Sequence, residues 1–93
     1  MAPVLEWGCV MELLILACDQ AKGRQMKQRA LAALRHMHRH DPIRKVVDRA
    51  AIAHYPVVRQ PCLLVDGDVV AEGFVPEASE IEAMLKARLG SRN

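Results

Sequence analysis

The sequence predicts an α/β fold with elements in the order βαβαββα, and three stretches carry that reading. Glu12 to Ala17 holds a continuous apolar run bounded by polar residues, the mark of a central strand covered on both faces. From Met26 onward the apolar positions Met26, Ala30, Ala33, Leu34 and Met37 fall at i, i+4, i+7, i+8 and i+11, one stripe of a helix. Cys62 to Val70 is a pair of apolar runs about Asp66-Gly67. That dipeptide is a strong hairpin signal, because a type I′ turn needs positive φ at both central residues.

The 93 residues make room for one domain and one core, and an apolar fraction of 52% can fill it. Trp7, Tyr55 and Phe74 are the whole aromatic set, so the core is built from Leu, Val, Ile, Ala and Met. No apolar run approaches the ~20 residues of a membrane span, and Met11 to Ala17 is too short for a signal-peptide core. Three cysteines without a CxxC do not make a secreted disulfide framework, and a cytoplasmic protein is expected. The net charge of +2 is unevenly spread. Lys22 to Lys45 carries eight basic residues and one acid, whereas Asp66 to Glu82 carries six acids and no base. An anionic partner is one reading of this; a solvated basic helix face is the plainer one.

Taken in order, residues 1–10 read as an extension that packs Trp7 or frays, residues 11–90 as the domain and residues 91–93 as a tail. After the first strand the pattern changes period at Cys18-Asp19-Gln20-Ala21-Lys22-Gly23, which puts Cys18 at the N-terminus of the following helix. Asp41-Pro42 ends that helix, since the residue before proline avoids helical backbone. Ile43 to Val47 is a short strand and Arg49 to Tyr55 a short helix broken by Pro56. Pro61 cannot donate to a ladder and starts the next strand, Cys62 to Val65. Val69 to Glu72 returns from the turn, with Gly73 a bulge or strand end. Ser79-Glu80-Ile81-Glu82 reads as a capping box for a last helix with the stripe Ile81, Met84, Leu85 and Leu89, closed by Gly90.

The stretch from Lys45 to Pro76 resembles the small thioredoxin-like proteins known as redox-active disulfide proteins. It carries their K-V-x-D, a short helix ending in Tyr, V-x-x-x-P, an apolar strand, D-G, V-V and G-x-V-P. The likeness runs roughly from Glu12 to Leu89 and is most specific in the second half. It implies a thioredoxin-like fold with a mixed four-stranded sheet and helices on both faces. It also implies a cis peptide before Pro61, packed beside the active cysteines. The chain departs from the family at the active site. Where relatives carry C-x-x-C, commonly followed by Lys, it has Cys18-Asp19-Gln20-Ala21-Lys22, without the second cysteine. A dithiol shuttle needs a resolving thiol to release its mixed disulfide, and Cys18 alone cannot supply one.

Cys18 can still act as a single thiol. Unpaired N–H groups and the helix dipole favour a thiolate there, with Lys22 and Arg24 helping and Asp19 opposing. Such a thiol could form a mixed disulfide with glutathione, as monothiol glutaredoxin-like proteins do. Cys18 and Lys22 are thus the candidate catalytic pair, and Asp19, Gln20, Ala21, Gln60 and Pro61 the candidate binding groove. The partner is a protein thiol or disulfide, or an extended peptide on the loop before Pro61. Cys62 is a candidate second thiol beside Pro61, although a strand residue there points toward the core and behaves as a small hydrophobe. Cys9 could approach only if the extension folds back.

Other chemistries find less support. His36 and His40 would share a helix face, but no carboxylate or cysteine completes a zinc set and Arg35 and Arg39 flank them, so no metal is expected. Ser79 and Ser91 suit a cap and a tail, and Gly23 stands alone rather than in a phosphate loop. Nucleic-acid binding by the basic helix is disfavoured, because its apolar stripe beds it on the sheet and no aromatic platform exists. Beside the thiol reading stands an alternative of another class: an interaction module that keeps the groove and has lost redox work.

Overall fold

The computed structural model describes residues 11–90; the expectations about Trp7, Cys9 and both ends of the chain lie outside them. Strand β1 (Leu13–Leu16) is the centre of a four-stranded sheet in the order β2-β1-β3-β4. It pairs in parallel with β2 (Ile43–Val46) and antiparallel with β3 (Cys62–Val65), which pairs antiparallel with β4 (Asp68–Glu72). The parallel step is made by helix α1 (Gln20–His36), the crossover such a pair requires. A short helix α2 (Arg49–Ile52) leads from β2 toward β3, and α3 (Ala78–Gly90) ends the described chain. The architecture is the mixed α/β one expected, with helices on both faces.

Alternation along β1 divides the core. Leu13, Ile15 and Ala17 join Met26, Ala30, Ala33 and Leu34 of α1 and Ile81 and Leu85 of α3. Leu16 joins Ile52, Cys62 and Leu64, with Leu14, Cys18, Val46 and Tyr55 packed around them. The first face is thick and covered by two helices. The second is thin, covered by one turn of helix, and Cys18 lies at its edge.

Local chemistry explains where the elements stop. Asp66 (φ 52°) and Gly67 (φ 88°) make the two-residue turn between β3 and β4. Gly73 (φ 87°) follows the end of β4, and the bulge lies further back, where Val70 has no partner opposite Leu63 and Leu64. Helix α1 ends earlier than Asp41-Pro42. Met37 is its C-cap, His38 turns left-handed (φ 58°), and the His38 and Arg39 amides donate to the Arg35 and Leu34 carbonyls at 3.0 and 2.9 Å. That is a Schellman ending with histidine in place of glycine. Two other boundaries also move: β2 stops at Val46 and α2 at Ile52. The capping box is shifted two residues from the expected one. The Glu77 amide donates to Glu80 Oε1 at 2.9 Å, which makes Glu80 the reciprocal residue and leaves Ser79 inside the first turn. Gly90 is the last helical residue and keeps an ordinary φ.

Candidate functional site

The end of β1 delivers Cys18 to the surface. Ala17 is still paired, its amide donating to the Val46 carbonyl at 3.1 Å, and Asp19 is already the N-cap of α1. Gly23 is buried on the first turn of α1, where a Cβ would come within 3.3 Å of Ala17 Cβ and 3.4 Å of Lys45 Cδ. Its missing side chain lets α1 start close against the strand that carries Cys18.

Cys18 is half-buried and free, in an open cleft of about 460 Å³ lined by Ala17, Cys18, Asp19, Lys22, Arg49, Gln60 and Pro61. The Gln60–Pro61 peptide is cis. Gln60 Oε1 accepts the Cys18 amide at 2.7 Å, tying the loop before the proline to the cysteine backbone across 42 residues. The structure therefore brings Cys18, Asp19, Lys22, Gln60 and Pro61 together. Gln20 lies outside this cleft, and Ala21 lines a neighbouring depression with Lys22, Arg24, Gln25 and Gln28.

Glu72, at the end of β4, holds the loop. Its Oε2 accepts the Val58 and Arg59 amides at 2.6 and 3.1 Å, and the Gly73 amide donates to the Pro61 carbonyl at 2.8 Å. Those two amide bonds keep the Glu72 carboxyl below its ordinary range.

The start of α1 differs from the arrangement the sequence suggested. Asp19 Oδ1 accepts the Ala21 and Lys22 amides at 2.9 and 3.2 Å, so two of the donors expected to favour a Cys18 thiolate are already taken. Arg49 brings a cation that sequence reading missed. It opens α2 thirty-one positions from Cys18, and only the packing of α2 over the thin face puts it at the cleft. Cys62 is a free thiol buried beneath Pro61, its Sγ bonded to the Arg59 carbonyl. Burial, with the Glu72 charge second, pushes this thiol up.

The histidine pair does not form. His36 ends α1 and His40 lies beyond the left-handed His38, so they share no helical face. His36 Nδ1 instead meets Glu82 Oε1 of α3 at 2.7 Å. Among the described residues no cluster of three His, Cys, Asp or Glu side chains could hold a metal ion, and no helix is long and apolar enough to cross a membrane.

A strand–Cys–helix unit followed by a cis-proline hairpin and a covering helix is the geometry on which the comparisons bear. The family model described as Thioredoxin domain matches residues 11–86. The chain belongs to the thioredoxin-domain family. No curated protein and no solved structure matches it significantly. Within this thioredoxin domain, Cys18 precedes α1 and Ala21 stands three residues on, and cationic side chains from α1 and α2 flank the thiol.

Proposed function

We propose that this thioredoxin domain works through one thiol, exchanging disulfides by way of a mixed disulfide on Cys18. The observation that carries the proposal is the position of that thiol: half-buried in an open cleft, beside cis-Pro61, on a backbone fixed by Gln60. In the first step the Cys18 thiolate attacks one sulfur of a substrate disulfide. A Cys18–sulfur bond forms, the substrate S–S bond breaks, and the other sulfur leaves as a thiolate. In the second step an external thiol such as glutathione attacks the sulfur bonded to Cys18. Cys18 leaves as the thiolate and a new disulfide departs, so electrons balance without a metal or bound cofactor.

Ala21 provides no resolving sulfur. Cys62, buried and bonded to the Arg59 carbonyl, is poorly placed to supply one. Among the described residues neither the amide nor the carbonyl of Gln60 has a backbone partner, which suits an extended peptide laid along the loop. Two free cysteines in the described domain fit a reducing, cytoplasmic setting.

A second reading has its own observation. With Asp19 occupying the helix donors, Cys18 would be an ordinary thiol and the groove a docking site for a protein without redox work. Oxidised glutathione separates the two. The exchange reading expects the full chain to gain one glutathione on the Cys18 peptide and lose it to added thiol, with Cys18→Ser abolishing that adduct. Failure of the wild-type Cys18 to gain the adduct, under conditions that modify free cysteine, would favour the docking module.

A further inference from the structure

Four basic side chains meet carboxylates: Arg29 with Glu77, Arg39 with Asp41, Lys86 with Glu82, and Arg88 with Asp66 and Asp68. The cations at the cleft do not, and among the described residues neither do Arg24, Lys27, Arg35, Arg44 and Arg59 outside its lining. Among the described residues Lys22 and Arg49 have no carboxylate within ion-pair distance. The same is true of Lys45, whose Cδ lies beside Gly23 on the first turn of α1. Asp19 is the one acid in the cleft lining, and its Oδ1 is engaged with two backbone amides. Asp48 precedes Arg49 but does not line the cleft. The apolar part of the lining is small, Ala17 and Pro61 beside the cysteine, so burial of a greasy substrate has little to act on.

Resting on the exchange chemistry proposed above, we infer that the disulfides accepted at Cys18 are anionic ones, carrying carboxylates near the sulfur that lie against Lys22 and Arg49. Unpaired cations from two separate elements, at a cleft large enough for a tripeptide-sized group, attract such a substrate and repel a cationic one. Lys45 and Arg24 extend the positive field beyond the cleft. Oppositely charged groups of this kind act mainly on the encounter rate and are screened by salt.

The test measures initial rates of mixed-disulfide formation on the Cys18 peptide of the full chain, using dithiodiglycolate, 2-hydroxyethyl disulfide and cystamine. These are an anionic, a neutral and a cationic alkyl disulfide, and each rate is normalised to that of an unstructured cysteine peptide. The expected order is anion, neutral, cation, with about a tenfold spread from first to last at low ionic strength. It should collapse near ~1 M salt, where charges are screened within ~3 Å. Lys22→Gln combined with Arg49→Gln should flatten the order, whereas Lys27→Gln, on the same helix but outside the cleft lining, should leave it in place. A peptide disulfide flanked by Glu, run against its Lys-flanked counterpart, separates a protein source from a small one. If the Glu-flanked peptide outruns dithiodiglycolate, the acidic groups belong to a protein chain; the reverse order marks a small acidic disulfide. Equal normalised rates for the three charges, or an order that survives in the double variant, overturns the inference while leaving exchange at Cys18 intact. No reaction with any of the three removes the exchange reading as well.

Discussion

Asp19 holds two roles that pull against each other. As N-cap it satisfies the Ala21 and Lys22 amides and steadies α1; as an anion next to Cys18 it opposes a thiolate. Asparagine caps about as well as aspartate, so Asp19→Asn separates the roles. Two unit charges a few ångströms apart in water interact by about 1 kcal/mol, and the substitution removes one of them. The variant should therefore be alkylated at Cys18 several-fold faster at neutral pH, with an unfolding midpoint close to that of the wild type. The sequence showed Asp19 as an opposing charge but gave no sign that its carboxylate would take the helix donors. Arg49 was hidden for a different reason. Its approach to Cys18 depends on how α2 folds over the sheet, and no local pattern encodes that.

The elements follow the same division between local and distant causes. The β3–β4 hairpin was legible because positive φ at Asp66 and Gly67 is a demand that the dipeptide itself meets. The α1 stripe was legible because burial on one face imposes a period. The end of α1 was not: His38 takes a left-handed conformation that favours glycine, and the helix stops there rather than at the proline four residues on. Relief of that backbone preference makes His38→Gly stabilising by about 0.5–1 kcal/mol, read as a higher urea midpoint at unchanged slope. The cis-Pro61 loop depends on a contact that sequence separation conceals, the Glu72 carboxylate holding two amides some fourteen residues upstream. Its acidic partner could be found from the sequence only as one of six acids between Asp66 and Glu82.

Over the whole domain, stability comes chiefly from the thick face, where β1, α1 and α3 bury Leu13, Ile15, Met26, Leu34, Ile81 and Leu85. Each such side chain contributes about 1.5–3 kcal/mol of burial. One polar staple closes the edge of that face. Arg39 meets Asp41 at 2.7 and 2.8 Å and the Met11 amide donates to Asp41 Oδ2 at 2.8 Å, with the carboxylate almost fully buried. Burial raises the Asp41 carboxyl, but the hydrogen bonds from Arg39 and Met11 outweigh it and leave it lowered. A lowered carboxyl adds stability above its unfolded value of ~3.9 and loses it as pH falls through the folded value. Wild-type stability should accordingly drop in acid below about pH 4. Asp41→Asn should flatten that drop and cost about 2 kcal/mol at neutral pH, both read from urea unfolding at pH 7 and pH 3. The thin face contributes less to the core and carries the chemistry, with Cys18 at its edge and Cys62 beneath it. The alkylation rate of each cysteine against pH, followed by peptide mass spectrometry on the reduced full chain, tests the account most directly. At neutral pH Cys18 should react faster than an unstructured cysteine and far faster than Cys62, whose thiol is buried and pushed up. Cys18 reacting no faster than an unstructured thiol, or as slowly as Cys62, would contradict exchange at this site and leave the cleft as a docking surface.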